Sequence, residues 1–277
     1  MTRRPGLLAL GAGLLLLLGG AAAWLLEASP ASDYRIVRRI QHDPQAYTQG
    51  LLYHQGMLYE STGLYGESSL RRLDPESGRI LQQRALAPEL FGEGLALVGE
   101  RLIQLTWRAG RALVYRRDDF ASLTEYRYDT EGWGLTHDGR QLIMSDGSAR
   151  LYFRDPATFT LRRTVTVTDA GRPVPRLNEL EYIDGEVWAN VYLTSRIARI
   201  DPADGTVRGW LDLGALPPAG DRHGGEDVLN GIAYDATRER LFVTGKRYAY
   251  IYQIELRRLR EEVAMSIPRA VFAAALL

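Results

Sequence analysis

The sequence contains no cysteine and carries no net charge, and both absences narrow what the protein can be. Without cysteine it cannot form disulfides, thiolate zinc sites, a cysteine nucleophile or a lipid anchor on an N-terminal cysteine. Lysine plus arginine and aspartate plus glutamate each number 34, so the formal net charge at pH 7 is +0. Binding to nucleic acid depends on an excess of basic residues. The balanced charge therefore gives no support for a nucleic acid partner.

Residues 1–31 differ in composition from the rest of the chain. Arg3 and Arg4 precede an apolar run over residues 7–26 that is rich in leucine, alanine and glycine. A basic start followed by such a run is typical of a secretory signal peptide, and the small residues at 21–23 and 28–31 offer cleavage points. The run is also long enough to remain as a membrane anchor. Either form predicts a periplasmic or secreted protein, because basic residues stay on the inner side of the membrane.

A short motif recurs five times in the remaining sequence, at intervals of about 40 to 50 residues. Each copy has a polar or aromatic residue, then glycine or glutamate, then an aliphatic residue. The copies are Gln49-Gly50-Leu51, Glu93-Gly94-Leu95, Trp133-Gly134-Leu135, Asn178-Glu179-Leu180 and Asn230-Gly231-Ile232. Strand-forming repeats of this length are typical of the blades of a β-propeller.

Three further segments with a strand pattern follow each motif. Apolar and polar residues alternate in them, as at 102–106 and 113–118, and the fourth segment of a unit is more polar, as at 79–83 and 207–211. Turns such as Asp74-Pro75-Glu76-Ser77-Gly78 separate the last two segments, because proline presets one turn residue and glycine permits positive φ. The sequence therefore predicts an all-β fold, a five-bladed β-propeller of four-stranded antiparallel blades over residues 32–256.

The fifth unit lacks a fourth strand, and the start of the chain offers a replacement. Residues 256–263 have a helical pattern where that strand should be, whereas residues 34–40 alternate like a strand but precede the first motif. A closed propeller leaves no long open sheet edge. Residues 34–40 are therefore predicted to complete the last blade, and residues 257–277 to form a helical and apolar tail.

Equivalent positions of the five units should form rings around the mouth of the central channel, because the first strand of each blade lines it. The first ring consists of Gln49, Glu93, Trp133, Asn178 and Asn230. Antiparallel pairing returns the end of each second strand to the same side. The residues there form a second ring, which consists of Gly63, Trp107, Gly147, Tyr192 and Lys246. Purely structural repeats should converge on similar residues, whereas these rings combine a carboxylate, an ammonium group, three amides and several aromatic rings. This diversity predicts a functional site at the mouth.

Two insertions, at 169–177 and 217–229, precede the openings of units four and five. Insertions in repeat proteins map to loops on one face, so both are expected to overhang the same end of the channel. His223 and Glu226 in the second insertion could bind a ligand, although polar residues in exposed loops are usually only solvated.

Several ordered blocks around the ring positions carry a family resemblance. They include Tyr47-Thr48-Gln49-Gly50-Leu51, Phe91-Gly92-Glu93-Gly94-Leu95, Leu177-Asn178-Glu179-Leu180-Glu181-Tyr182 and Phe242-Val243-Thr244-Gly245-Lys246. Over roughly residues 34–256, the chain resembles the glutaminyl-peptide cyclotransferases of the plant and bacterial type. The resemblance implies a five-bladed propeller that converts the N-terminal glutamine of peptides or proteins to pyroglutamate with loss of ammonia. It also implies that no metal or other cofactor is used.

The resemblance further implies roles for individual residues. Glu93 would be the acid/base carboxylate, assisted in catalysis by Lys246, Gln49 and Asn178. The substrate-binding residues would be Tyr47, Phe91, Trp107, Trp133 and Tyr192, to which the first ring adds Asn230. Tyr47 replaces a phenylalanine of the plant pattern and Tyr192 replaces a tryptophan, so substrate preference is affected more than activity. Burial should raise the pKa of Glu93 and Lys246 should lower it, and the sequence leaves the net direction open.

Two other functions remain open at this stage. In a metal-dependent hydrolase of the lactonase type, Glu93, Asn178 and Asn230 would supply oxygen ligands to Ca²⁺. Lys246 argues against this site, because a cation beside a divalent ion is unfavourable. In a non-catalytic propeller, the same opening would bind peptides without turnover. The protein is expected to be a monomer that contacts a membrane only through residues 1–31, if these are retained.

Overall fold

The computed structural model describes residues 34–216, 225 and 227–256. The predicted leader at 1–31, the tail at 257–277 and the residues His223 and Glu226 lie outside this part of the chain, so those expectations stay predictions. Among the described residues, no helix is long and apolar enough to cross a membrane.

The described chain forms five four-stranded antiparallel sheets arranged as the blades of a propeller. It begins with β1 (Tyr34–Gln41), and blade 1 follows as β2 (Thr48–His54), β3 (Met57–Thr62), β4 (Ser69–Leu73) and β5 (Ile80–Ala85). Blade 2 comprises β6 (Gly92–Val98), β7 (Arg101–Thr106), β8 (Arg111–Arg116) and β9 (Ser122–Arg127). Blade 3 comprises β10 (Leu135–His137), β11 (Leu142–Ser145), β12 (Arg150–Arg154) and β13 (Leu161–Thr166).

A small hairpin of β14 (Thr168–Asp169) and β15 (Arg172–Pro173) separates blade 3 from blade 4. Blade 4 comprises β16 (Leu177–Ile183), β17 (Glu186–Val191), β18 (Arg196–Ile200) and β19 (Val207–Asp212). Blade 5 comprises β20 (Leu229–Asp235), β21 (Arg240–Gly245), β22 (Tyr250–Leu256) and the distant β1. The predicted five-bladed propeller is thereby confirmed.

Burial along each blade explains the strand pattern of the sequence. The first and second strands are almost entirely buried, whereas the fourth strands β5, β9 and β13 are largely exposed; β19 is the exception, because Val207, Trp210 and Leu211 are buried. Buried apolar side chains form five clusters, and each cluster joins two neighbouring blades. The core of the molecule is therefore a ring of inter-blade contacts, and burial of apolar surface between blades holds the ring together.

The predicted closure by the N-terminal strand is also confirmed. β1 pairs antiparallel with β22 from Tyr34 opposite Leu256 to Gln41 opposite Tyr250, and it completes blade 5 as its outer strand. Ile40 is only 1% exposed and packs in the cluster shared by blades 5 and 1. Leu256, expected to begin a helix, is instead the last residue of β22, because its backbone pairs with β1.

A buried polar network fixes the chain where it passes from blade 5 to blade 1. Nδ1 of His42 donates to the Tyr248 carbonyl at 2.8 Å, and Nε2 donates to Oε1 of Glu60 at 2.9 Å. Because both ring nitrogens face acceptors, the imidazole carries both protons. Burial alone would lower the pKa of His42, but the Glu60 carboxylate raises it overall. Glu60 also accepts a hydrogen bond from Thr48 at 2.7 Å.

The first strands of four blades are irregular at the ring positions identified from the sequence. In blades 2, 4 and 5, two residues on the first strand face a single residue of the second: Glu93 and Gly94, Asn178 and Glu179, and Asn230 and Gly231. In blade 1 the register shifts between Thr48 and Gly50, around Gln49. Such bulges redirect side chains away from regular alternation. Gln49, Glu93 and Asn178 thereby face the channel mouth, whereas the side chain of Asn230 turns toward blade 1.

The first insertion lies only in part where the sequence analysis placed it. Arg176 forms backbone hydrogen bonds of 2.9 Å with Gly147 and Tyr192 at the mouth, whereas the hairpin of β14 and β15 lies elsewhere. Thr168 forms an isolated bridge with Thr206, and Nε1 of Trp210 donates to Asp169 at 2.9 Å. Thr206 directly precedes β19 and Trp210 belongs to it, so the hairpin packs against the outer strand of blade 4 and not over the channel. Its backbone and Asp169 find hydrogen-bonding partners there, which a loop extending over the mouth would lack.

Candidate active site

A cavity of about 210 Å³ opens at the end of the channel where the two rings meet. Its wall is formed by Tyr47, Gln49, Leu64, Phe91, Glu93, Trp107, Trp133, Asn178, Tyr192 and Lys246. Nine of these ten are residues that the sequence analysis singled out, and the tenth is Leu64. All five blades thus contribute residues to one small compartment, from their first strands or from the chain next to their first and second strands.

Aromatic rings form much of this wall and contact one another edge to face. Phe91 packs against Trp107 with ring centroids 5.4 Å apart, and Trp133 packs against Tyr192 at 5.5 Å. Tyr47 contacts Phe91 at 6.1 Å, so one aromatic run continues from blade 1 to blade 2. Such T-shaped pairs are favoured over face-to-face stacking and fix ring orientation.

Two glycines of the second ring make room for these aromatic rings. A Cβ added at Gly147 would lie 2.6 Å from atoms of the Trp133 indole, and Gly147 has a φ of +81° that L residues rarely adopt. A Cβ at Gly63 would overlap the Phe91 ring. The small residues of the second ring therefore serve the site by letting Phe91 and Trp133 approach the backbone closely.

Among the residues that the structure describes, Glu93 is the only carboxylate in the wall of this cavity, and its side chain is held by a chain of hydrogen bonds. Nε2 of Gln49 donates to Oε1 of Glu93 at 2.9 Å, and Nδ2 of Asn230 donates to Oε1 of Gln49 at 2.9 Å. Asn230 also donates to the Thr48 carbonyl at 3.0 Å. Oε1 of Glu93 is therefore engaged, which leaves Oε2 as the oxygen that can exchange a proton.

Asn230 differs from its predicted position as a substrate-binding residue. It is fully buried and does not line the cavity, because both of its amide hydrogens bind blade 1 behind Gln49. Its contacts make it a residue that orients Gln49. The calcium site considered above is also incomplete for this reason, since only Glu93 and Asn178 of its three ligands face the cavity.

The pKa of Glu93 is raised well above its usual range. Burial of the carboxyl is the main cause, since its residue is 4% exposed, and the negative charge of Glu131 adds to the effect. The ammonium group of Lys246 opposes it without reversing it. The sequence left the net direction of this pKa shift open, and the structure shows that it is upward, as expected for a carboxyl in an apolar, poorly hydrated site.

Lys246 lies in the cavity wall between two tyrosines. Its Nζ is 4.6 Å from the ring centroid of Tyr47 and 4.6 Å from that of Tyr192. A cation over the faces of aromatic rings is stabilised by their negative electrostatic potential. Lys246 is 4% exposed, so this arrangement keeps a positive charge inside the site without a large hydration shell.

Asn178 offers the cavity an acceptor oxygen that none of the described protein groups uses. The residue is 2% exposed, and its Oδ1 accepts no hydrogen bond from any part of the chain that the structure describes. A buried carbonyl oxygen without a donor is unfavourable unless a ligand or water supplies one. An amine or amide of a bound molecule would satisfy it.

Two further carboxylates, Glu179 and Glu181, lie deeper in the channel. Glu179 accepts the backbone N–H groups of Leu51 at 3.2 Å and Ile232 at 2.9 Å, and so joins blade 4 to blades 1 and 5. Glu181 accepts the N–H of Tyr234 at 3.0 Å. Burial raises the pKa of both, to about 8 for Glu181. They connect blades and do not line the cavity.

The sequence analysis missed two residues of the site. Leu64 lines the cavity at a φ of +81°, which is rare for leucine and follows from the turn after Gly63. Glu131 lies behind the wall and accepts hydrogen bonds from the indole nitrogens of Trp107 and Trp133. Neither occupies a ring position. For Glu131, the available signal was a carboxylate two residues before Trp133.

Comparisons with known proteins show the family of this chain. The family model described as glutamine cyclotransferase matches residues 11–256. The glutaminyl-peptide cyclotransferase of Arabidopsis thaliana is 44% identical over 230 residues, which cover 82% of this chain and 72% of that protein. The crystal structure of the Myxococcus xanthus glutaminyl cyclase superposes with a TM-score of 0.78 at 39% identity, covering 83% of this chain and 98% of that one. This chain therefore belongs to the glutamine cyclotransferase family.

Proposed function

We infer that this protein is a glutaminyl-peptide cyclotransferase, which converts the N-terminal glutamine of peptides or proteins to pyroglutamate and releases ammonia. The observation that carries the inference is a single buried carboxyl, Glu93, with a raised pKa in a small aromatic cavity that also holds Lys246. The reaction needs one group that takes a proton and returns it. A carboxyl whose pKa is raised toward neutrality suits both steps.

The chemistry requires no covalent intermediate with the enzyme, because nucleophile and electrophile belong to the same residue of the substrate. The α-ammonium group of the substrate first passes a proton to Oε2 of Glu93, and the neutral amine then attacks the side-chain amide carbon. The resulting five-membered tetrahedral intermediate carries a negative charge on the former amide oxygen. Glu93 gives its proton to the side-chain nitrogen, the carbon–nitrogen bond breaks, ammonia leaves, and the ring nitrogen of the lactam passes its extra proton back to Glu93.

The other polar residues have distinct tasks in this scheme. Lys246 is the cation in the cavity wall and stabilises the negative oxygen of the intermediate. The unused Oδ1 of Asn178 accepts a hydrogen bond from the amine or from the leaving nitrogen. Gln49, predicted as a partner in catalysis, is engaged on both of its polar atoms by Glu93 and Asn230. We therefore assign it to orienting the Glu93 carboxyl.

The aromatic wall selects the folded shape of the substrate side chain. A cavity of about 210 Å³ holds the N-terminal residue and leaves the rest of the peptide outside. Trp107, Trp133 and Phe91 enclose that residue, exclude water and keep the amine close to the amide carbon. Holding two reacting groups at contact distance lowers the activation free energy of the cyclisation substantially.

The plot of kcat/KM against pH should be bell-shaped. Because the productive complex carries one proton shared between the amine and Glu93, kcat/KM falls at low pH, when both are protonated, and at high pH, when neither is. The acid limb should lie clearly above the ~4.3 of an ordinary glutamate, and the upper limb near the ~8 of an α-amine. Lys246→Gln should move the acid limb to still higher pH, because the cation that favours the carboxylate is gone.

Arg247→Gln is a suitable control for that shift. Its guanidinium lies 5.4 Å from the Tyr47 ring but does not line the cavity, so the acid limb should stay in place. A wild-type acid limb at the value of a normal glutamate would contradict the role given to Glu93.

The function is tested by incubating the purified protein with a glutamine-initiated dipeptide and measuring ammonia together with the pyroglutamyl product. We propose that turnover survives exhaustive chelation, since the described residues contain no group of three or more His, Asp or Glu side chains placed to hold a metal ion. Activity that is lost with EDTA and restored by Ca²⁺ or Zn²⁺ would instead favour a metal-dependent hydrolase. Binding of the dipeptide without any product would favour a peptide-binding propeller.

We also propose that the enzyme works in the periplasm or outside the cell, as a monomer. Arg3, Arg4 and the apolar run at 7–26 support export. The balanced charge supports neither nucleic acid nor a membrane surface as partner of the propeller. Cell fractionation and light scattering on the purified protein would test the two statements, and a cytosolic or oligomeric enzyme would contradict them.

A further inference from the structure

A single carboxylate oxygen connects the two tryptophans of the cavity wall. Oε2 of Glu131 accepts the indole N–H of Trp107 at 2.8 Å and that of Trp133 at 3.0 Å. The two indoles come from different blades, since Trp107 directly follows β7 and Trp133 lies just before β10. Glu131 therefore links two indole rings that belong to different blades.

The remaining oxygen of Glu131 is also engaged. Oε1 accepts Nε of Arg108 at 2.9 Å, and the Arg108 guanidinium lies 3.7 Å from the centroid of the Trp107 ring. Partial burial alone would raise the pKa of Glu131, but the hydrogen bonds from Trp133, Arg108 and Trp107 lower it overall. The carboxylate thus stays ionised at neutral pH and can accept all three hydrogen bonds.

The backbone around Glu131 is fixed as well. The N–H of Gly132 donates to the Trp107 carbonyl at 2.9 Å, and the N–H of Trp107 donates to the Phe91 carbonyl at 2.9 Å. With the main chain held in this way, the remaining freedom of each tryptophan is rotation of its indole. The two hydrogen bonds to Glu131 restrict this rotation for both rings, together with the edge-to-face contacts of Trp107 with Phe91 and of Trp133 with Tyr192.

We propose that Glu131 is a positioning residue of the active site, whose carboxylate holds the indoles of Trp107 and Trp133 at the angles that fit the side chain of the substrate's N-terminal residue. The inference rests on the proposed cyclotransferase function. It predicts that substrate binding depends on the acceptor oxygen of residue 131 more than on its charge, because the oxygen is what holds the two rings.

The pair Glu131→Ala and Glu131→Gln separates these two properties. Alanine removes the acceptor, so KM for a glutamine-initiated dipeptide should rise by about tenfold or more, given the cost of leaving hydrogen-bond donors unpaired. Glutamine keeps a carbonyl oxygen that can accept both indole N–H groups, so KM should stay within about threefold of the wild type. Its kcat/KM profile should nevertheless have an acid limb at lower pH, because a negative charge near Glu93 is lost.

The pH of the acid limb follows the pKa of Glu93, which depends on the titratable groups around its carboxyl. They are the ammonium group of Lys246, the carboxylate of Glu131 and the phenol of Tyr128, whose own pKa burial raises to about 12. Tyr128 is neutral over the measured range, and Lys246 is unchanged in both variants. The shift of the limb therefore isolates the charge of residue 131.

Glu125→Ala is the matched control. Glu125 is 33% exposed at its side chain, compared with 37% for Glu131, and it also pairs with arginines, but it lies on the outer strand of blade 2. KM and kcat should be unchanged in this variant. All variants are first compared by thermal unfolding, so that a loss of fold is not read as a loss of binding.

The tryptophan emission spectrum gives a readout that does not depend on turnover. Two of the five tryptophans in the chain are bound by Glu131, so Glu131→Ala should change the spectrum while Glu131→Gln and Glu125→Ala leave it close to that of the wild type. Equal KM effects of alanine and glutamine, or an unchanged KM and spectrum in Glu131→Ala, would overturn the proposal. Absence of turnover in the wild type would overturn the function instead, and the spectra would still decide whether the indoles are held.

Discussion

Glu93→Gln should lower kcat by ~10² to 10⁴ while KM changes little and the fold persists. Glutamine keeps the shape of the side chain and the oxygen that accepts the Gln49 amide, but it cannot take a proton from the amine or return one to the leaving nitrogen. Burial already favours the neutral form of Glu93, so a neutral replacement should not destabilise the protein. Ammonia release from a glutamine-initiated dipeptide and thermal unfolding are the measurements.

Glu181→Gln is the control for this variant. Glu181 is also a carboxyl of a first strand with a raised pKa, about 8, but it binds the Tyr234 backbone away from the cavity. Its kcat should stay within about twofold, because it takes no part in proton transfer. Glu60 would be a poor control, since it is fully buried against His42 and Thr48 and its substitution would disturb the fold. Substantial turnover in Glu93→Gln, or an equal loss in Glu181→Gln, would refute the assignment.

Removal of β1 should have the largest effect on stability. A chain that begins at His42 leaves the edge of β22 unpaired and opens the cluster between blades 5 and 1, where Ile40 packs against Leu51 and Phe242. Ile40→Ala alone should cost about 2–5 kcal/mol in the free energy of unfolding. That corresponds to a fall in Tm of about 4 to 20 °C. The deletion should exceed this and prevent cooperative folding, as followed by calorimetry or circular dichroism.

Two comparisons make this prediction specific. A chain that begins at Asp33 keeps β1 and should unfold close to the full-length protein. Ile36→Ala changes the same strand at a position that is 37% exposed, so it should cost much less than Ile40→Ala. If the chain that begins at His42 were as stable as the one that begins at Asp33, the closure by β1 would have no energetic role.

The number of blades, the order of their strands and the closing strand could be predicted from the sequence because each blade repeats one pattern. Five copies of the opening motif placed the first strands, and the missing fourth strand of unit five placed β1 beside β22. The hairpin of the insertion at 169–177 was misplaced, since loop position depends on contacts such as Trp210 with Asp169 that no repeat encodes. Leu256 was misread because its helical pattern continues into the tail while its backbone pairs with Tyr34.

The site was predictable at positions where a ring residue points into the cavity, as with Glu93 and Lys246. Asn230 occupies an equivalent position in sequence, yet the bulge with Gly231 directs its amide to Thr48 and Gln49. Comparing equivalent positions of the repeats does not predict the direction that a side chain takes at a bulge. Glu131 was missed for a related reason, because it acts from the connection between blades 2 and 3 and only the directions of two indoles reveal its role.

The closing strand has a consequence for how the molecule is made. β1 is the first described strand to leave the ribosome, and its partner β22 is the last. At synthesis rates of about 5–20 residues per second, β1 waits about 10 to 45 s before its partner exists. Contacts this distant in sequence also form slowly. Arg35, Arg38 and Arg39 place three positive charges on the waiting strand, and such charges discourage pairing with the wrong edge. The sequence of β1 thus protects the nascent chain from aggregation until the ring can close.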